Sequence, residues 1–108
     1  MKVTFISKEK LLEMMENKER FKLVEVLAQE DYAKGHLPWA LNIPADKIQE
    51  LAPKLLPDKE EAIVVYCSDF LCTASVGVAR KLQSMGYSKV LEYKGGKKDW
   101  SSAGLPLV

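Results

Sequence analysis

Short apolar segments alternate along this chain with segments in which apolar residues recur at helical spacing. The predicted strands are 3–6, 21–26, a brief one within 36–44, 62–66 and 90–93. Five helical segments are predicted. The first follows Ser7, the second is a short turn at 29–35, and the others cover 45–51, 73–85 and a last segment around Trp100. Strands that alternate with helices predict an α/β fold, a mostly parallel sheet with helices on both faces.

Two details of this pattern are specific enough to test. The segment 62–66 is apolar without alternation, which predicts a central strand that is buried on both faces. Helix 45–51 is expected to end before Pro53, because proline interrupts helices. Both tryptophans, Trp39 and Trp100, are expected to pack in the interior.

Length and charge narrow the class of protein. The chain has 108 residues, of which 47% are apolar, and this predicts one domain over residues 1–108. Lys and Arg number 16 against 15 Asp and Glu, a balance that argues against a nucleic-acid partner. No apolar run approaches the roughly 18 residues of a membrane span. The charged start lacks the pattern of a signal peptide, so a cytoplasmic location without membrane contact is expected.

Cys67 is the main candidate for chemistry. It follows the most apolar strand, at the carboxyl end where parallel sheets form their sites. Inward-pointing amides in the turn after Cys67, with the N-terminus of the next helix, would stabilise a nucleophilic thiolate. The alternative is a small buried apolar residue at the end of a strand. Cys72 and His36 do not complete the usual four zinc ligands, so no metal and no cofactor are predicted.

Three blocks of sequence together resemble a known family. They are 23–26 with 30–44, the strand and loop from Ile63 through Cys67, and 95–107. In this order they resemble the signatures of rhodanese-like domains. The resemblance implies a five-stranded parallel sheet and a catalytic Cys67 that carries sulfane sulfur as a persulfide. It implies a donor such as thiosulfate, polysulfide or a protein persulfide, and a thiol or cyanide as acceptor. The substrate-binding loop would be Ser68, Asp69, Phe70, Leu71, Cys72 and Thr73.

This chain departs from the family pattern within the loop. Family members that use thiosulfate commonly have arginine where Cys72 stands here, and no Lys or Arg lies between Lys59 and Arg80. We therefore expect a dianion such as thiosulfate to bind poorly. Lys94 is the candidate replacement cation, with a solvated surface lysine as the alternative. Glu25 is a candidate for the pocket rim or for orienting the loop amides.

Cys72 leaves several functions open. It would act as a resolving thiol that attacks a Cys67 persulfide, releases sulfide and forms a disulfide, or it would be inert. A dithiol redox protein that uses both cysteines is a second possible function. A non-catalytic interaction module is a third. Thr73 is expected to cap the helix that follows the loop.

Overall fold

The computed structural model describes residues 2–108, and Met1, the first residue of the predicted domain, lies outside them. The strands of the sheet are β1 (Thr4–Ile6), β2 (Phe21–Glu25), β3 (Leu41–Asn42), β4 (Ala62–Tyr66) and β5 (Val90–Tyr93). They form one five-stranded sheet in the order β1-β5-β4-β2-β3, and every pairing is parallel. The predicted α/β fold with a five-stranded parallel sheet is confirmed.

Helices connect the strands and begin close to the predicted positions. They are α1 (Lys8–Glu16), α2 (Gln29–Lys34), α3 (Ile48–Leu55), α4 (Ala74–Ser84) and α5 (Gly96–Ser102). A 3₁₀ turn, Ala45–Lys47, leads directly into α3. Ser7 caps α1, and its hydroxyl oxygen accepts the Lys10 N–H at 3.1 Å.

The prediction that the third helix ends before Pro53 is wrong, because α3 continues through it to Leu55. Proline cannot donate the backbone hydrogen bond at its position. The helix nevertheless buries Ile48 and Ala52 in the core, and the Leu56 N–H donates to the carbonyl of Ala52 at 2.7 Å. Packing of this apolar face outweighs the lost backbone bond.

The two faces of the sheet have separate apolar cores. Ile63 and Val65 of β4 pack with α3 and α4 on one face. Val64 and Tyr66 pack with α1 and Trp100 of α5 on the other. This confirms that β4 is buried on both faces. Trp100 is interior as predicted, whereas the prediction for Trp39 is wrong, because Trp39 is 80% exposed.

The register of the sheet places the end of β4 between its two neighbours. Tyr66, the last residue of β4, pairs with Glu25 at the end of β2 and with Tyr93 at the end of β5. The three strands therefore stop at the same level. The segments that follow them meet at the carboxyl edge of the sheet, which is where parallel α/β proteins form their sites.

Candidate functional site

Cys67 is the first residue after β4 and lies at the carboxyl edge of the sheet, in the middle of the five strands. Its neighbours hold it there, because the Val26 N–H donates to the Tyr66 carbonyl and the Lys97 N–H donates to the Cys67 carbonyl, both at 3.1 Å. Cys67 is only 2% exposed. The backbone around this residue is thus fixed between the end of β2 and the first turn of α5.

Cys67 and Cys72 form a disulfide bond, with their Cα atoms 6.4 Å apart. A turn at Asp69 folds the loop back on itself. The Asp69 carbonyl accepts the Cys72 N–H at 3.1 Å, and its carboxylate accepts the Leu71 N–H at 3.0 Å. The loop therefore brings together the two sulfur atoms at a Cα separation that a disulfide requires.

The groups around the Cys67 sulfur differ from the prediction. Inward-pointing loop amides were expected, but the amides of Leu71 and Cys72 both donate to Asp69, so the expectation is wrong for these two. The side chain that contacts Cys67 Sγ is Ser75, whose hydroxyl oxygen lies 3.4 Å away. The polar neighbour of the sulfur therefore comes from the first turn of α4 and not from the loop amides.

Thr73 precedes α4 but does not cap it as predicted. It occupies the N-cap position, yet its side chain makes no capping hydrogen bond. The reason is its backbone conformation, with φ −100° and ψ −6°, whereas a capping side chain usually needs an extended backbone. The helix that follows the loop begins at Ala74, close to the predicted start.

Beneath the loop, Ser75 of α4 and Glu92 of β5 form a buried polar pair that sequence analysis missed. The Ser75 hydroxyl donates to Glu92 Oε2. Glu92 is fully buried, and within residues 2–108 its Oε1 has no hydrogen-bond partner and its carboxylate has no ion-pair partner. The signal in the sequence was an acidic residue within an otherwise apolar strand.

The first turn of α5 supports the loop from behind. The amides of Lys97 and Lys98 donate to the carbonyls of Cys67 and Ser68, at 3.1 and 2.9 Å. Gly96 makes this approach possible with φ +65°, a backbone conformation that favours glycine. A Cβ at Gly96 would lie 2.9 Å from the carbonyl carbon of Ser68. The close approach of the two backbones therefore depends on a missing side chain.

Glu25 does not lie at the rim, as one interpretation of the sequence placed it. It is fully buried on the opposite face of the sheet from the Cys67 side chain. Its Oε1 accepts the Tyr66 hydroxyl at 2.8 Å, and its Oε2 lies 2.9 Å from the ammonium of Lys97. Burial, and then the Glu25 carboxylate, raise the pKa of Tyr66 well above its usual range. Glu25 reaches the loop only through Lys97.

Lys94, the candidate replacement cation, has its side chain on the β1 side of β5 and not on the side of the Cys67 loop. Its ammonium is 5.5 Å from the ring centre of Phe5, so it points toward β1 and away from the Cys67 loop. The cation that borders the loop is instead Lys98. It lines a surface cavity of about 270 Å³ together with the carboxylates of Asp69 and Asp99. The lining of this cavity therefore has two acidic side chains and one basic side chain.

The tip of the loop is apolar and exposed. Phe70 is 58% exposed and Leu71 is 89% exposed. Ser68 and Cys72 are half-buried beside them. The loop that holds the two cysteines therefore presents two apolar side chains to solvent.

This arrangement defines a parallel α/β domain with two disulfide-bonded cysteines at the carboxyl edge of its central strand. Such a pair supports nucleophilic attack on sulfur and thiol–disulfide exchange. Residues 2–108 contain no cluster of three His, Cys, Asp or Glu side chains that would hold a metal ion. No helix in this range is long and apolar enough to cross a membrane.

The chain belongs to the rhodanese-like family, since the family model for the rhodanese-like domain matches residues 7–103. It is 35% identical over 77 residues to the thiosulfate sulfurtransferase PspE of Escherichia coli K12, a match that covers 70% of each protein.

Two further similarities place the domain in a wider context. The HTH-type transcriptional regulator Rv0324 of Mycobacterium tuberculosis is 33% identical over 85 residues, which are 79% of this chain and 36% of the regulator. The chain thus spans about a third of that relative. The human single-domain sulfurtransferase TSTD1 superposes with a TM-score of 0.80 at 23% identity, covering 94% of this chain and 97% of TSTD1. It has the same fold.

Proposed function

We propose that this chain moves sulfane sulfur through a persulfide on Cys67, and that Cys72 resolves the persulfide. The observation that carries the proposal is the Cys67–Cys72 disulfide at the end of the central strand of a rhodanese-like domain. Relatives named as sulfurtransferases support the reaction class. The disulfide supports the role of the second cysteine.

The reaction has two steps that balance in sulfur and in electrons. The Cys67 thiolate attacks the outer sulfur of a donor R–S–SH, so that a Cys67 persulfide forms and R–S⁻ leaves with the electron pair of the broken bond. The Cys72 thiolate then attacks Cys67 Sγ and expels the outer sulfur as HS⁻. The two cysteines lose two electrons in forming the disulfide, and the sulfane sulfur gains them as sulfide.

Regeneration requires an external thiol or dithiol as reductant. It attacks the disulfide at Cys72, because Cys72 is half-buried while Cys67 is almost fully buried. Cys67 then leaves as the thiolate, and a second thiol of the reductant attacks the mixed disulfide and frees Cys72, so that the reductant is oxidised to a disulfide. When an acceptor thiol or cyanide takes the outer sulfur before Cys72 attacks, Cys67 also returns to the thiolate, and no disulfide forms.

The donor we propose is a polysulfide or a protein persulfide in preference to thiosulfate. Loop residues 68–72 contain no Lys or Arg, and their tip is formed by Phe70 and Leu71. Lys98 lies beside two carboxylates, so it offers little net attraction for a dianion. An apolar tip suits the surface of a partner protein, or the weakly hydrated inner sulfur atoms of a polysulfide, whose negative charge lies at its ends.

Mass spectrometry of the reduced protein after treatment with inorganic polysulfide tests this proposal. Cys72→Ser should accumulate one additional sulfur atom on Cys67, and cyanide should remove it. The unsubstituted chain should instead form the disulfide and release one sulfide for each disulfide. Cys67→Ser is the matched control and should gain no sulfur that cyanide removes. A Cys72→Ser protein that gains no sulfur on Cys67 would contradict the proposal.

A dithiol/disulfide redox protein is the second candidate, and the same disulfide favours it. Titration of both thiols in redox buffers without a sulfur donor separates the two functions. Rapid, reversible cycling with a protein dithiol, together with no sulfur uptake by Cys72→Ser, would favour the redox function. If the protein takes up no sulfur and its thiols do not cycle, the results favour a non-catalytic interaction module.

A further inference from the structure

Two fully buried glutamates lie on the strands that flank β4, and they differ in how their charge is compensated. Glu25 of β2 has the ammonium of Lys97 at 2.9 Å. Glu92 of β5 has no ion-pair partner within the described chain, and its Oε1 accepts no hydrogen bond there. A buried carboxylate without a cation carries its charge at a considerable free-energy cost. Glu92 Oε1 thus has an unused acceptor position, although it lies in the interior.

A contact through Ser75 connects Glu92 to Cys67. Cys67 and Glu92 both face α4, and Ser75 in the first turn of α4 lies between them. The Ser75 hydroxyl contacts Cys67 Sγ at 3.4 Å and donates to Glu92 Oε2. A hydroxyl can accept one proton and donate another in the same step. The three side chains thus lie in a continuous buried line, and reduction of the disulfide gives Cys67 the proton with which its thiol can donate to Ser75 Oγ.

We propose that Ser75 and Glu92 form a proton relay for Cys67, in which the Glu92 carboxylate takes the proton that the Cys67 thiol loses when its sulfur attacks. The use of this relay in sulfur transfer rests on the proposed function, whereas its effect on the reactivity of the thiol does not. The relay supplies what the loop lacks. Where a cation would stabilise a thiolate, this chain has an acceptor for the proton instead.

The proton transfer balances with sulfur transfer. The Cys67 thiol proton passes to Ser75 Oγ while the Ser75 hydroxyl proton passes to Glu92 Oε2. Cys67 Sγ forms its bond to the outer sulfur of R–S–SH, and R–S⁻ leaves. The products are Cys67–S–SH, R–S⁻ and a neutral Glu92 carboxyl group. One negative charge is present before and after the step, and it moves from the buried carboxylate to the departing thiolate.

The other charged groups around the site do not join this line. The Asp69 carboxylate accepts the Leu71 N–H in the loop. The Lys97 ammonium binds Glu25 on the opposite face of the sheet. The remaining charged side chains near the loop and the first turn of α4 line surface cavities or point toward β1, and they are Asp46, Lys81, Lys94, Lys98 and Asp99.

The relay predicts how the Cys67 thiol reacts with a simple alkylating agent. The test measures alkylation by iodoacetamide from about pH 5 to about pH 9, in the Cys72→Ser background so that one thiol is present. Glu92→Gln and Ser75→Ala should each slow alkylation near neutral pH by about tenfold or more, and their rates should rise steeply with pH. Ser75→Thr keeps a hydroxyl and should restore the rate. Glu61→Gln, a buried glutamate at the opposite end of β4, is the matched control.

Two outcomes would overturn the relay. If Glu92 acts only as a nearby negative charge, Glu92→Gln favours the thiolate and speeds alkylation. If the pair is only structural, the pH profile stays unchanged. Ser75→Ala removes only one hydroxyl group, so its alkylation rate is sufficient for the test if Glu92→Gln does not fold. Sulfur uptake from polysulfide is measured separately, so a relay without sulfur transfer would contradict the proposed function and leave the relay standing.

Discussion

Replacing Gly96 with alanine tests whether the close approach of α5 holds the Cys67 loop in place. The added Cβ would lie 2.9 Å from the Ser68 carbonyl carbon, so the first turn of α5 must move away. Two hydrogen bonds, to the carbonyls of Cys67 and Ser68, would be weakened, at about 1 kcal/mol each. The positive φ of Gly96 adds about 1 kcal/mol for any side chain. We expect a total loss of about 3 kcal/mol in the free energy of unfolding.

Gly104→Ala is the matched control for this experiment. Gly104 has φ +79°, but a Cβ there would meet no atom within 4 Å. It therefore shares the cost of a left-handed backbone and the entropy change of the unfolded chain, and it should lose only about 1 kcal/mol. Urea unfolding of the three oxidised proteins gives both numbers, with equal m values as a check on two-state behaviour. Equal losses for the two variants would refute the role assigned to the contact with the loop.

Three further predictions concern the disulfide and the charged groups. Cys72→Ser should lower the free energy of unfolding by about 2 kcal/mol, because it removes the disulfide. The stability of this variant should no longer depend on added reductant, and a dependence on reductant would contradict the prediction. Lys97→Met leaves the buried Glu25 carboxylate without its cation and should lose about 3 kcal/mol, while adding Glu25→Gln should recover much of the loss in urea unfolding. The Glu60 N–H, with Arg20, lowers the pKa of Asp58. The ionised Asp58 therefore stabilises the folded protein at neutral pH, and this stabilisation is lost as the pH falls through the lowered pKa. When the unfolding midpoint is measured against pH, Asp58→Asn should show a smaller decrease at acidic pH than the unsubstituted protein. Equal decreases in the two proteins would refute this.

The fold was predictable from the sequence because its main signals are local. The unbroken apolar run of β4 indicated a strand buried on both faces, and the structure has apolar cores on both sides of it. The alternation of strands and helices then required parallel connections. Pro53 was misleading, because a local rule about proline cannot include the tertiary packing of Ile48 and Ala52 that keeps α3 helical.

Only those features of the candidate site that depend on neighbours in the sequence were predictable. Cys67 was found because it follows β4 directly, and its loop partner Cys72 because it is near in sequence. Contacts between elements were not accessible. Whether Lys94 points toward the loop or toward β1 depends on a side-chain direction, and the partner of Glu92 depends on the angle at which α4 crosses the sheet.

The position taken by Cys72 links these observations to the reaction. Where a cation would attract an anionic donor, a thiol lies within bonding distance of Cys67, and the charge balance nearby is close to neutral. Such a loop gains little from a donor's negative charge, so discrimination among donors falls to the apolar tip formed by Phe70 and Leu71. Under the proposed function, the Cys72 thiol would limit the lifetime of a Cys67 persulfide, because an attacking group within the same loop has a high effective concentration. The proposed mechanism therefore predicts release of sulfide over storage of sulfur, unless a docked acceptor reaches the persulfide before Cys72 does.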